Sequence, residues 1–174
     1  MREWIPVSTS PKGRLALAAV KAFGARPFVE VTVGELAAAA KVTTGALYHH
    51  FGNKLGLYTF VRGDVEQRLL DRMEGAIAAA GEEADRSAAV RAALLVGFDF
   101  AVREGFLHIL EAPPPGAERD RLTEMLKAST APASPVLGRV LAAAWRAALG
   151  SVAEGSEPQQ ARAALLALEL RIPS

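Results

Sequence analysis

The chain has 174 residues, 51% of them hydrophobic, which is enough to bury one sizeable core. It contains no cysteine, and this excludes disulfide frameworks and cysteine-based zinc sites. The N-terminus lacks the apolar segment of a signal peptide, and no window reaches about 18 uninterrupted apolar residues. We therefore expect a cytoplasmic protein with no membrane partner.

Positive charge is concentrated in the first third of the chain, although the net charge is only +1. Residues 1 to 63 carry eight Lys or Arg against three Asp or Glu, whereas the remainder carries twelve against sixteen. This asymmetry indicates a polyanion-binding end joined to a neutral or acidic body, or else a chance fluctuation in a small sample.

The positive end is predicted to form three short helices. Ser10 followed by Pro11 is an N-cap with proline at the first helical position. Thr32 and Glu35 have the spacing of a capping box that opens a second helix. After a tight turn, Thr43 can cap a third helix. Two short helices joined by such a turn have the proportions of a helix-turn-helix, whose second helix lies in the DNA major groove.

The third helix is predicted to have a small and polar outer face. Ala46, Leu47 and Phe51 fall on its inner side, and His50 is expected to pack with them. A metal site at the adjacent His49 and His50 is disfavoured, because neighbouring helical residues point about 100° apart and no third ligand is near in sequence.

The rest of the chain is also predicted to be helical. Asn53 caps a long helix whose apolar residues repeat every four positions until Gly81. Further helices are predicted from Asp85, from Phe106 to Leu110, from Glu118 to about Thr130, from Ser134, and from Ser156 to about Leu170. We find no convincing strand, and so expect an all-α fold of about nine helices. Its predicted domains are a three-helix helix-turn-helix DNA-binding domain at 1–53 and a helical bundle at 54–174.

The stretch "TVGELAAAAKVTTGALYHHFGNKLGLY" resembles the DNA-binding signature of the TetR family of one-component transcriptional repressors. The resemblance covers about residues 10 to 63. It is carried by Thr32, Leu36, Val42, Gly45, Tyr48, Phe51 and Lys54. It implies an operator-binding head, and a C-terminal domain that binds an effector and holds two subunits together.

The resemblance places the third helix in the major groove, and the residue types suit that position. Gly45 would let the backbone approach DNA closely, and Tyr48 and Lys54 can each contact a phosphate. Thr44, Gly45 and His49 are expected nearest the base edges. The full set of predicted DNA-binding residues is Thr32, Lys41, Thr43, Thr44, Gly45, Tyr48, His49 and Lys54. The family usually has glycine where this chain has Lys41, and a positive φ there would strain the lysine. Either the turn differs slightly from that of the family, or Lys41 accepts the strain and adds a phosphate contact.

The body is predicted to supply a dimer interface and an effector pocket. Two apolar helices between residues 135 and 172 suggest a homodimer, for which the alternative is a monomeric bundle that buries this surface itself. The expected interface residues are Val140, Leu141, Ala144, Trp145, Leu165 and Leu168. The expected pocket for a small apolar effector has Phe98, Phe106 and Met125 as its walls and Asp99, Arg103 or His108 as polar anchors, although such residues also suit an ordinary core.

These features favour a DNA-binding transcriptional regulator, a repressor that a small-molecule ligand releases from double-stranded operator DNA. The alternative is a ligand-independent DNA-organising protein with a pocketless body. An enzyme is disfavoured, because the sequence has no cysteine nucleophile, no phosphate-binding glycine-rich loop after a strand, and no carboxylate pair with a partner histidine at useful spacing. We expect neither a cofactor nor a metal.

Overall fold

The computed structural model of the protein describes residues 9–81, 85–113, 119–131 and 135–172. Within these ranges the chain forms nine α-helices and no strand, which confirms the predicted all-α fold. The head contains α1 (Pro11–Ala25), a 3-10 turn (Phe28–Glu30), α2 (Val33–Ala39) and α3 (Thr44–Phe51). The body contains α4 (Lys54–Ala80), α5 (Arg86–Glu104), α6 (Leu107–Leu110), α7 (Arg121–Thr130), α8 (Pro135–Ala153) and α9 (Pro158–Leu166).

The helices of the head and the first helix of the body, α4, begin where the sequence predicts, because each N-cap side chain accepts a backbone N–H of the first turn. These bonds join Ser10 to Gly13 at 3.0 Å, Thr32 to Glu35 at 3.2 Å, Thr43 to Ala46 at 3.2 Å and Asn53 to Gly56 at 2.8 Å. The capping box of α2 is complete, since the Thr32 backbone N–H also donates to Glu35 Oε2 at 2.8 Å.

The later helices differ from the prediction at their ends. The chain becomes helical at Arg121, after the N-cap Asp120, while Glu118 and Ser134 lie outside the described residues. The prediction that α9 runs to Leu170 is wrong, because the helix ends at Leu166. Beyond it the backbone N–H of Ile172 donates to Ser87 Oγ at 3.0 Å, which draws the end of the chain onto α5.

One continuous core joins the head to the body. The long helix α4 crosses from one to the other, and its row of apolar residues is buried as predicted. The fully or almost fully buried members are Leu57, Val61, Val65, Leu69 and Met73. Since the core has no break near residue 53, the boundary between domains 1–53 and 54–174 stays a prediction.

Helix α8 has the length and composition of a membrane-spanning helix over Val136–Ala153, with a mean hydropathy of 1.3 in that window. It packs against α7, α9 and α6, and Leu141, Trp145 and Leu149 on it are in the core. Core helices of proteins that never enter a membrane have the same length and composition.

Candidate nucleic-acid interface

Helix α3 presents one polar face to solvent and anchors the other in the head. Leu47 on its inner side is fully buried, and Phe51 at its end is half-buried. The outer face consists of Thr43, Thr44, Gly45, Tyr48 and His49, all exposed. This is the arrangement that a recognition helix needs, because base edges can be read only by side chains that project away from the core.

The prediction that His50 packs against the core is wrong, because its side chain is exposed. The core-facing line of α3 runs through Leu47 and Phe51, and His50 lies at its edge. The His50 ring contacts the rings of His49 and Phe51, with centroids 5.0 Å and 6.3 Å away. Both histidines therefore lie at the solvent-facing end of α3. Among the residues that the structure describes, no cluster of three potential metal ligands forms.

Gly45 has no steric role inside the protein. A Cβ atom built on it would meet only Thr43 Oγ1, at 3.7 Å, which is ordinary van der Waals contact. Glycine within a helix costs roughly 0.5–1 kcal/mol relative to alanine. The contacts of the head therefore do not require glycine here, whereas close approach to an external surface would.

Lys41 adopts a left-handed backbone conformation, which is one of the two possibilities that the sequence left open. Its φ is 54°, and it is the sole non-glycine residue with positive φ in the described ranges. This conformation costs about 1–2 kcal/mol for a residue with a Cβ atom. The turn between α2 and α3 therefore has the shape that glycine would adopt easily, and the side chain of Lys41 adds an exposed ammonium group to it.

The two threonine caps differ in what they can offer to DNA. The hydroxyl of Thr32 donates to Glu35 Oε2 at 2.9 Å, so its hydrogen is already used within the capping box. Backbone and side-chain hydrogen bonds from Thr32, with a smaller contribution from Arg26, lower the pKa of Glu35. Thr43 Oγ1 only accepts, from the Ala46 N–H, which leaves its own hydrogen for a phosphate oxygen.

Lys54 is bound within the head rather than extended from it. Its ammonium donates to the carbonyl oxygens of Phe28 and Val31, at 2.9 Å each, and lies 4.1 Å from the centre of the Phe28 ring. An ammonium has three hydrogens, so one remains for a phosphate. The phosphate contact stays a prediction, but the observed bonds give Lys54 a structural role that the sequence did not reveal.

Other positive charges among residues 1 to 63 are also turned inward. Arg62 is 3% exposed and donates to Tyr58 Oη at 3.2 Å, to the Ile109 carbonyl, and to the Ala112 carbonyl at 2.7 Å. Arg14 donates to the carbonyls of Ala40 and Thr9. The net positive charge of residues 1 to 63 therefore overstates the charge that can face DNA.

Comparison with known proteins agrees with this geometry. Residues 16–59 match the family described as "Bacterial regulatory proteins, tetR family". This segment, from α1 to the start of α4, contains both helices of the candidate interface and is similar to that family. The whole chain is similar in structure to a TetR-family transcriptional regulator from Pectobacterium atrosepticum, with 25% identity, a TM-score of 0.62, and 88% and 87% of the two chains covered. It also shares its fold with a putative tetR family transcription regulator from Shewanella sp. PV-4, at 18% identity and a TM-score of 0.65, over 91% and 95% of the chains.

The body of this TetR-type fold does not bring the six predicted effector residues around one cavity. Phe98 and Phe106 are 1% and 4% exposed and belong to the continuous core. The other four lie at separate places on the body. Asp99 pairs with Arg162 at 2.9 Å, Arg103 pairs with Glu104 at 3.3 Å, Met125 lines an open cavity beside α7, and His108 lies in α6.

The predicted dimer residues divide into buried and accessible sets. Leu141, Trp145 and Leu165 are at most 4% exposed, and the Trp145 indole N–H donates to the Leu94 carbonyl at 3.0 Å. These three belong to the core of the protomer, so they cannot form an interface without unfolding it. Val140 is 54% exposed, and Ala144 and Leu168 are partly exposed.

The TetR-type body also contains a charge cluster that the sequence did not predict. Arg146, 8% exposed, donates to both oxygens of Asp120 at 2.6 Å and 2.7 Å. Burial alone would raise the pKa of Asp120, but the hydrogen bonds from Arg146 and Thr123 lower it. Burial raises the pKa of the neighbouring Glu66, against the opposing effect of Arg62. The Arg146–Asp120 pair joins α8 to the N-terminus of α7 across 26 residues of sequence, and no local pattern signals it.

Proposed function

We propose that this protein is a transcriptional repressor that binds operator DNA as a homodimer and is released by a small-molecule effector. The observation that carries the proposal is the capped, solvent-facing helix α3 in a domain similar to the TetR family. Its exposed residues are small or polar, and its inner side is fixed in the core by Leu47. Such a helix fits the major groove without rearrangement of the head.

The proposed base contacts come from Thr44, Gly45 and His49, which share the exposed face of α3. A histidine can contact a purine edge, and the threonine hydroxyl can donate or accept. Gly45 lets the first turn approach the bases, because nothing projects from it. These contacts would specify sequence.

The proposed phosphate contacts surround that face. Tyr48 is 52% exposed, so its hydroxyl can donate to a phosphate. Thr43 has a hydroxyl hydrogen to donate, and Lys41 contributes an exposed ammonium. Thr32 and Lys54 remain in the proposed set, although bonds within the head already engage both. These contacts would position the protein without reading sequence.

The proposed dimer interface is the outer side of α8 together with α9. Val136 and Val140 are 52% and 54% exposed, and the exposed Ala143 and Ala147 continue the same line one and two turns further along α8. Leu166 on α9 is 43% exposed. Small residues permit close approach of two helices, and two helices from each subunit would form a four-helix interface. A two-fold dimer presents its recognition helices to a two-fold operator.

The second candidate is a DNA-organising protein that needs no ligand. It is favoured by the filled core around Phe98 and Phe106, where the sequence predicted a pocket. Such a protein would bind DNA through phosphates with little preference for sequence, and its affinity would depend steeply on salt. The repressor is the better proposal, because the exposed face of α3 offers groups for base edges as well as for phosphates.

Selection of fragments bound by the full-length protein from the source genome tests the proposed function. A repressor should recover a small number of sites that share an inverted repeat, with half-sites one helical turn apart, about 34–36 Å, or a multiple of that. Recovery of fragments without a common motif would instead support the DNA-organising protein. Failure to bind any DNA would refute both.

A further inference from the structure

A cleft of about 260 Å³ lies where the head meets the body, and we call it the junction cleft. Phe28 contributes to it from the connection between α1 and α2, and Leu55 and Tyr58 from the first two turns of α4. The opposite wall is formed by His108, Glu111 and Ala112, at α6 and just after it. A molecule in this cleft would therefore touch both the DNA-binding head and the body.

The backbones of the head and the body are in direct contact at Gly24 and Gly105. A Cβ atom on Gly24 of α1 would lie 2.2 Å from the Gly105 carbonyl oxygen, so the two backbones touch there. A second cavity, of about 320 Å³, lies beside the same point, and His108 lines both cavities. The one-turn helix α6 is thus flanked by unfilled space on two sides, and the Gly24–Gly105 contact can act as a fulcrum.

The body side of the junction cleft is held firmly to α4. Arg62 in α4 binds the carbonyls of Ile109 and Ala112, which lie at the end of α6 and just beyond it. A buried arginine that loses its acceptors costs free energy, so this wall resists displacement. The Phe28 side is held to the first residue of α4 by the hydrogen bonds from Lys54, so a molecule that widens the cleft works against one of these two attachments.

The walls of the junction cleft select a chemical class of ligand. Phe28 and Tyr58 pack edge to face, with ring centroids 5.0 Å apart, and give the cleft an aromatic wall. His108 Nδ1 lies 2.9 Å from Glu111 Oε1, and because a carboxylate only accepts, Nδ1 carries the hydrogen in this contact. The second Glu111 oxygen and the remaining lone pairs of the first are then acceptors. A ligand with N–H groups, preferably cationic, complements them.

The other cavities are less suited to control the head. A groove of about 800 Å³ runs along α8 on the side that we assign to the dimer interface, where a second subunit would cover it. A groove of about 740 Å³ is formed by α1 and the end of α2 alone, and a third, of about 650 Å³, belongs to the body alone. Neither of the last two would separate the head from the body.

We infer that the junction cleft is the effector site of this protein and that it binds an aromatic compound of one or two rings with a basic N–H group. The inference rests on the proposed repressor function. At about 260 Å³ the cleft is smaller than the 300–1,000 Å³ of drug-sized sites, which limits the ligand to this size. The bound ring separates the Phe28 side from α6, rotates the head about the Gly24–Gly105 contact, and changes the distance between the two recognition helices of the dimer.

Benzamidine is a probe with the required shape and charge, and benzoate is a control of the same shape and opposite charge. The chain has three histidines, so the imidazole signals of the full-length protein can be followed individually by NMR. Benzamidine should shift the His108 signals saturably, with a dissociation constant on the order of 1 mM for so small a probe, and leave those of His49 and His50 in place. Benzoate should not shift His108. Glu111→Gln should weaken benzamidine binding roughly tenfold or more, because it removes the charged acceptor.

A large side chain that fills the junction cleft should lower the operator affinity, as we expect the ligand to do. Ala112→Trp places an indole at the mouth of the junction cleft, and Ala128→Trp adds the same group to an exposed position on α7 as a control. We expect Ala112→Trp to lower operator affinity at least fivefold and Ala128→Trp to leave it unchanged. The inference would be overturned if benzamidine failed to shift the His108 signals, or if it bound Glu111→Gln as tightly as the unaltered protein. Either result would leave the proposed function intact as long as the unaltered protein binds its operator. Absence of operator binding by the unaltered protein would refute the function itself.

Discussion

Replacement of Gly45 by alanine separates the stability of the head from its fit to DNA. The added methyl group would meet only Thr43 Oγ1, at 3.7 Å, so the folded head can accept it without strain. Because glycine in a helix is less stable than alanine by about 0.5–1 kcal/mol, the free energy of unfolding should stay constant or rise by up to about 1 kcal/mol. The same methyl group projects from the face of α3 that we assign to the major groove.

On DNA, the methyl group of Gly45→Ala should hold the first turn of α3 away from the base edges. The loss of one good base contact costs about 1–3 kcal/mol, which corresponds to a decrease in operator affinity of about 5- to 150-fold. Fluorescence anisotropy with an operator from the genomic selection measures this loss, and urea unfolding measures stability. Both measurements are needed, because Gly45→Ala is predicted to bind the operator more weakly while being at least as stable as the unaltered protein.

Gly63→Ala is the matched control for this experiment. Gly63 is also exposed and helical, and a Cβ atom on it would meet no atom within 4 Å, but it lies in α4, away from α3. It should gain similar stability and bind the operator as the unaltered protein does. If Gly45→Ala were stable and bound the operator equally well, α3 would not lie close to the bases and the assignment of its face would be refuted.

Three further substitutions test the dimer, the head and the pH dependence. Val140→Glu places a charge on a 54% exposed side chain of α8 and should weaken self-association about tenfold or more in sedimentation. Val29→Glu, at an 81% exposed position of the head, should leave self-association unchanged. A dimer unaffected by Val140→Glu would place the interface elsewhere. Lys54→Met should lower the free energy of unfolding by about 1.5–3 kcal/mol through its lost carbonyl bonds, and unchanged stability would mean that those bonds are unimportant. Burial raises the pKa of Asp64 from 3.8 to about 6, so the folded protein binds the proton more tightly than the unfolded chain does. This group therefore makes the free energy of unfolding fall as pH rises through that range. Asp64→Asn should flatten this pH dependence in urea unfolding, and an unaltered dependence would contradict the shift.

The sequence predicted most of the head because the signals there are local. The caps at Ser10, Thr32, Thr43 and Asn53 each act on the three residues that follow, so composition and spacing were enough to locate the helices. The place of Lys41 in the family signature raised the question of a positive φ there, and only the structure shows that the lysine adopts it. The bonds of Lys54 were not predicted, since their acceptors lie 23 and 26 residues away in sequence.

The body was harder to predict because its helices are apolar on more than one side. On α8, Leu141 and Trp145 face the core while Val140 faces solvent, and hydrophobicity alone does not distinguish these sides. The predicted pocket failed for a related reason. Phe98 and Phe106 have the residue types of a ligand wall, but only the folded structure shows that both are buried in the core.

The central claim, that α3 lies in the major groove, can be tested by cleavage of DNA from that helix. The chain has no cysteine, so His50→Cys provides a unique attachment point at the exposed end of α3 for a DNA-cleaving iron chelate. The labelled protein should cut the operator within the major groove of each half-site, whereas the same label at Gly63→Cys in α4 should give no such cuts. Identical cleavage from the two positions, or none from His50→Cys on a bound operator, would contradict the proposed interface.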